Sequence, residues 1–399
     1  MGLKLVIDGN SLLNVITTAT IYSSKNADLS RPFYRVMDKW AIKSTSAEYY
    51  DSQLYRYLSG ILRSFPGIDG VYIASDSMSW RKVFYKNMIK MFEGRADYSD
   101  IETGYKGKRK IDNEQKQQNI ELIKYLTSET LFRLSQKIPG LSLIGVKGLE
   151  GDDIVYRLTE RLKANNDVIV WSNDSDLHQI LDKNVYIIGS QDPKTKTRRM
   201  FQINENQDVH VQKGVMSFDF ARNTDSGIKQ TIASLLQRGF YSNTYCDPYY
   251  DIITKILCGD KASDNIPPVY SVKGSTGKVV NLTRAKYSDK IIEYLKENGY
   301  TEKSIVEGFK VYEEKLMNMI VEKICELFKV SYNDNHEIIC KYLKFNIRMI
   351  LLDEKMIPAE ILQYLDDVIT YIDGKNTRFD FSTFENFVQP YILEKNNFV

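Results

Sequence analysis

The chain has 399 residues, 43% of them hydrophobic and 27% charged, with a formal net charge of +2. It is long enough for two or three domains with substantial cores and too apolar for a disordered chain. Four scattered cysteines without a Cys-x-x-Cys pair exclude a disulfide scaffold or thiolate zinc site, and no apolar run approaches the ~18 residues of a membrane span. The opening "MGLKLVIDGN" has an Asp inside what would be the apolar stretch of a signal peptide, and Gly2 lacks the downstream Ser or Thr of a myristoylation signal. A cytoplasmic protein is expected.

Three short apolar runs end in acid: "LVID" (5–8), "VYIASD" (71–76) and "VIVWSND" (168–174). Their β-branched and aromatic residues predict buried strands, each followed by a helical pattern. "LSLIGV" (141–146) and "VYIIGS" (185–190) are further strand candidates, and helical patterns cover Asn113–Lys137 and Asp153–Ala164. This alternation predicts an α/β domain with a mostly parallel sheet over residues 1–205. Polar loops are expected over 191–213 and 270–287, one or two helices within 220–258, and amphipathic helices over 302–330 and 336–373. The second domain, 206–399, is therefore expected to be helical.

In parallel sheets ligands collect outside the carboxyl ends of the strands. Asp8, Asp76 and Asp174 fall there, as does Glu150 on the loop after the 141–146 strand. In "GLEGDDIV" (148–155), Glu150, Asp152 and Asp153 directly precede an apolar stripe of Ile154, Val155, Leu158 and Leu162. One carboxylate would suffice to cap a helix; three repel one another unless a cation lies among them. "SNDSD" adds Asp176 beside Asp174, and "CGDKASDN" adds Asp260 and Asp264. Each pair alone reads equally well as an N-cap or an Asx turn. Nine carboxylates with no His or Cys cluster select hard divalent ions, Mg²⁺ or Mn²⁺. Setting those nine aside raises the remaining charge from +2 to +11, concentrated in "YKGKRK" (105–110), "KTKTRR" (194–199), Lys261, Lys273 and Lys278. An acidic pocket in a basic surface suits a polyanionic substrate processed by metal ions.

The ordered motifs "VIDGN", "SDSMSWRKVF", "YKGKRK", "GLEGDDIV", "SNDSDLHQI" and "CGDKASDNIP" resemble the structure-specific 5′-nuclease superfamily of flap endonucleases and 5′–3′ exonucleases. Within it, "TKILCGDKASDN" and "NIRMILLDEKMIPAEIL" resemble the phage-type RNase H that removes RNA primers. The resemblance implies a PIN-like nuclease domain with a helical arch around 80–137, and a helix–three-turn–helix region near 250–300 that grips duplex DNA. It implies two Mg²⁺ ions, replaceable by Mn²⁺, with Asp8, Asp76, Glu150 and Asp152 in a first cluster. Asp153, Asp174, Asp176, Asp260 and Asp264 would extend it to the second metal. Lys106, Arg81, Lys82 and Arg109 would be the catalytic cations, with Tyr85–Lys86 a rival to Tyr105–Lys106. Tyr105, Lys108, Lys110, Lys273, Gly274, Gly277 and Lys278 would contact nucleic acid, Tyr105 by stacking on a base, and K⁺ could occupy the 274–277 loop. The implied partners are branched or nicked duplex DNA and RNA–DNA hybrids, with a single-strand-binding protein or sliding clamp as a protein partner, and the implied state is a monomer.

Two departures stand out. Asp260 and Asp264 are spaced i, i+4 where the family has i, i+3, and "VKGSTGK" (272–278) has two residues between its glycines instead of one. Other classes fit less well. A phosphatase using Asp-x-Asp fails because Asn10 stands two residues after Asp8, and "GSTGK" lacks the upstream Gly and following Ser or Thr of a phosphate loop. A small toxin-like ribonuclease leaves the basic segment and second domain unexplained. A non-catalytic branched-DNA-binding accessory protein is the remaining alternative, and would be expected to have lost acids that are all present here.

Overall fold

A computed structural model describes residues 2–37, 39–107, 114–191, 197–202, 241–245, 248–273, 276, 278–375 and 377–393. The chain forms two compact units interleaved along the sequence: residues 1–77, 111–246 and 363–399 in one, 78–110 and 247–362 in the other.

The first unit is built on a seven-stranded sheet. Its strands are β1 (Gly2–Asp8), β4 (Ile68–Ser75), β5 (Leu141–Gly145), β6 (Asn166–Trp171), β7 (Val185–Gln191), β8 (Arg198–Gln202) and β9 (Tyr241–Tyr245), while β2 (Phe33–Val36) and β3 (Lys39–Ile42) form a separate hairpin. The order is β5-β4-β1-β6-β7-β8-β9, parallel except at the β7–β8 pair. All five strands expected from the apolar runs are present. β8 lies inside the stretch expected to be a polar loop, and the part of that stretch from 203 onward lies outside the described residues.

β1 is buried on both faces, as a central parallel strand should be. Leu3, Leu5 and Ile7 face a core shared with the helices Gly9–Ser23 and Ser44–Ser64. Val6, on the alternate face, is also fully buried, and the helix Gly151–Leu162 packs against β1, β4 and β6. The C-terminal helix Phe381–Leu393 completes this unit. Phe384 and Val388 are buried in the sheet core, and Tyr55 meets the rings of Phe387 and Tyr391 edge-on at 6.2 and 5.1 Å. The packing partner of this aromatic helix is Ser44–Ser64, more than 300 residues away in sequence.

The second unit is mainly helical, with Pro248–Cys258, Asp289–Glu297, Glu302–Lys310, Glu314–Phe328 and Tyr332–Ile350 around one core. Segment 80–105 joins that core through aromatic packing: Phe84 stacks on Phe345 at 5.6 Å, and Phe92 stacks on Tyr342 at 4.9 Å. The stretch expected as one arch thus divides, with 78–107 in the helical unit and the helices of 114–137 in the sheet unit. Within the expected polar loop 270–287, β10 (Ser271–Lys273) and β11 (Val279–Asn281) form a hairpin. Lys273 and Lys278 are exposed beside its tip, whereas Gly274 and Gly277 lie outside the described residues. No helix among the described residues is long and apolar enough to cross a membrane.

Because Phe384 is fully buried in the sheet core, Phe384→Ala should lower unfolding free energy by about 3–5 kcal/mol. Urea unfolding followed by circular dichroism measures this. An unchanged midpoint would remove the C-terminal helix from the core.

Candidate functional site

β1 lies between β4 and β6, so the chain leaves it toward one side of the sheet and later returns to its other side. The crevice outside the strand ends at such a reversal is where α/β sheets collect ligands. Asp8 is the last residue of β1, Asp76 follows β4, Asp174 lies just past β6, and Glu150 caps the helix after β5.

Local hydrogen bonding fixes each carboxylate. Asp8 accepts from the Asn10 and Ser11 backbone N–H groups at 3.0 and 3.2 Å, and from the hydroxyls of Ser11 and Ser172 at 2.5 and 2.7 Å. Those hydroxyls in turn accept the N–H groups of Asn173 and Asp174 at 3.1 and 3.0 Å, tying the end of β1 to the loop after β6. Asp76 accepts from the Asn10 side-chain amide and from the Gly151 N–H, the latter at 2.5 Å. A Cβ at position 151 would lie 2.8 Å from Asp76 Oδ1, so the glycine of "EGDD" permits this approach. Asp174 accepts the Asp176 N–H at 2.9 Å, capping a short 3₁₀ turn.

Asp152 carries the electrostatic signature. Burial raises its pKa well above the ordinary carboxylate value, and the negative charges of Asp8, Asp174, Glu150 and Asp76 raise it further. Five carboxylates from four chain segments therefore act on one another at this edge. Such a group suits a hard divalent cation, whose charge offsets the repulsion.

Other assigned residues are placed differently. Asp153 is almost fully buried, and its carboxylate accepts the Glu150 N–H at 3.3 Å in a capping box, a role that accounts for it structurally. Ser11, Ser172 and Asn10 were missed by sequence reading; the only trace of them is small polar residues directly after two strands. In the second unit, Asp260 and Asp264 keep carboxylate oxygens within 4.8 Å of each other despite the i, i+4 spacing. Burial favours protonation of Asp260, but the Lys255 ammonium at 2.8 Å prevails and holds its pKa below the usual value.

Arg81 is 3% exposed, donates to the Met349 carbonyl at 3.0 Å and lies over the Trp80 ring. Lys82 and Lys86 are exposed on the same helix. Tyr105, expected to stack on a base, is 7% exposed with its ring against Tyr85. Tyr85 of the rival pair is fully buried. Lys106 is half-buried, with Nζ 5.0 Å from the Tyr105 ring centre. Lys108, Arg109 and Lys110 lie outside the described residues.

Residues 75–212 match the family model of the 5′-3′ exonuclease N-terminal resolvase-like domain. A 5′-3′ exonuclease of Mycoplasmopsis pulmonis is 26% identical over 219 residues, covering 52% of this chain and 60% of that protein. The chain resembles the 5′-3′ exonucleases. It spans about three fifths of the length of that curated relative. Among solved structures, bacteriophage T5 flap endonuclease in a pseudo-enzyme–product complex with DNA and metal ions aligns at 14% identity and TM-score 0.43, over 98% of both chains. The T5 5′-exonuclease with bound zinc ions aligns at 12% identity and TM-score 0.44, again over 98% of both. The 75–212 match contains Asp76, Glu150, Asp152, Asp153, Asp174 and Asp176, whereas Asp8 precedes it.

The raised pKa of Asp152 fixes a sign. Below the ordinary carboxylate pKa both folded and unfolded forms are protonated and no penalty exists; as pH rises, the unfolded chain ionises first and the folded state loses stability up to Asp152's own pKa. Asp152→Asn should therefore raise the melting temperature of the chelator-treated protein at neutral pH. Thermal scans of both proteins with chelator check this; a variant less stable than its parent in chelator would contradict it.

Proposed function

We propose that the chain is a divalent-metal-dependent 5′–3′ exonuclease and flap endonuclease, hydrolysing phosphodiesters at 5′ ends, flaps or RNA primers on duplex DNA during replication. The carboxylate group around Asp152 supports this reading most strongly, and the similarity to 5′-3′ exonucleases agrees with it. Asp8, Asp76, Glu150, Asp152 and Asp174 would hold Mg²⁺, with Mn²⁺ an acceptable substitute. Bound there, a divalent ion would supply Lewis-acid activation of water and neutralise charge developing on the phosphodiester.

The chain's own contribution is orientation. Ser11, Ser172 and two backbone N–H groups fix Asp8, and Gly151 N–H fixes Asp76, so these acids are held before any ion arrives. From the sequence motifs, Asp176, Asp260 and Asp264 are proposed as further metal-facing acids. Lys106, Lys82 and Arg109 are proposed as cations offsetting transition-state charge. Lys273 and Lys278 are exposed where contact with duplex phosphates is proposed, and K⁺ in the 274–277 loop, a monomeric state and contacts with a clamp or single-strand-binding protein belong to the same proposal. A non-catalytic DNA-binding protein would have no use for mutually repelling acids at a strand edge, which disfavours the accessory reading.

A 5′-labelled DNA or RNA flap on a nicked duplex tests the proposal. Short 5′ products should appear with Mg²⁺ and vanish with chelator or with Asp174→Asn, while the variant still binds the substrate. Lys106→Ala should lower turnover on the order of 10²-fold. Tight binding without cleavage under any divalent ion would replace the nuclease with the accessory protein.

A further inference from the structure

In the second unit, the loop bearing Lys106 is tied to the loop bearing Asp264 through a residue so far without a role. Asn265 is 2% exposed and has φ +61°, a left-handed backbone that Asn tolerates better than most side chains. Its side-chain amide nitrogen lies 2.9 Å from the Asp100 carbonyl, 2.9 Å from the Thr103 hydroxyl and 3.0 Å from the Gly104 carbonyl. Its own carbonyl accepts the hydroxyl of fully buried Tyr85 at 3.0 Å, and that hydroxyl also reaches the Ile101 carbonyl at 3.1 Å. One amide thus fastens both loops at once.

Lys106 shows the result. It too is left-handed, with φ +55°, and its N–H donates to the Asp264 carbonyl at 3.0 Å. Gly107 turns so tightly that a Cβ there would lie 1.9 Å from the Thr103 carbonyl oxygen. A non-glycine residue with positive φ persists where its surroundings over-determine it.

We propose that Asn265, buttressed by Tyr85, is a positioning residue that sets the Lys106 backbone against Asp264. The proposal rests on the nuclease reading for its catalytic consequence, but not for the lock itself. An amide is needed because it presents N–H donors to acceptors; Asp at the same position would point a carboxylate at two carbonyls.

The test uses the full chain and the flap assay. Asn265→Gly keeps the left-handed backbone accessible and removes the donors, while Tyr85→Phe removes only the buttressing hydroxyl. Asn265→Gly should lower kcat at least about tenfold with KM little changed, and Lys106→Ala in that background should cost far less than its order-of-10² effect alone. Full additivity of the two would overturn the proposal, because residual turnover would still be using a correctly placed lysine. Independently of turnover, hydrogen exchange at the Lys106 amide should accelerate in both Asn265→Gly and Tyr85→Phe. Unchanged exchange would overturn the lock. If the unmutated chain cuts nothing, the nuclease reading and the catalytic half of the proposal both fall, and the exchange result still decides the lock.

Discussion

Mutual repulsion among carboxylates at the carboxyl edge of the sheet is the constraint around which the first unit is organised. Asp152 sits where burial and four other acids all oppose its ionisation. The unit tolerates this because three of those four neighbouring acids are held by donors that the backbone already provides. Asp8 caps the helix Gly9–Ser23, Asp76 takes the first N–H of the helix after β5, and Asp174 caps the turn after β6. Helix starts point at the strand ends in this topology, so the N–H groups that need acceptors are the ones that hold the acids.

This arrangement dissolves an opposition that the motifs set up. Each acid pair could be a cap or a ligand, and the structure makes several of them caps without removing them from the cluster. Asp153 is the exception, since its buried carboxylate closes a capping box on Glu150. The helix start therefore uses one acid for structure and leaves Asp152 facing the others. A capping role costs a carboxylate only some of its lone pairs, because an ionised carboxylate offers about four acceptor positions.

The second unit solves a different problem. Its Lys106 loop is short and carries a left-handed lysine, a conformation that costs energy unless neighbouring contacts impose it. The packing of Phe84, Tyr85, Phe92, Tyr342 and Phe345 draws segment 80–105 into a helical core and brings the Tyr85 hydroxyl beneath Asn265. That packing also withdraws Arg81 and Tyr105 from solvent. The resemblance had implied functional roles for both, and the packing accounts for their burial.

The sequence by itself determined the parallel sheet and the acids that end its strands. Short, continuous runs of β-branched and aromatic residues suit strands buried on both faces of a parallel sheet, and the polar residue that breaks each run marks its end. The acid at the end of each run was therefore legible, as was the crowding within "GLEGDD". Only tertiary structure decided which polar residues serve those acids, because Ser11 and Ser172 are 161 positions apart and carry no pattern that links them. Tertiary structure also decided that the C-terminal helix completes the first core and that 78–107 belongs with the second unit. Hydrophobic periodicity states that a face must be buried, but the partner that buries it is chosen by shape and chain connectivity, which no local window contains.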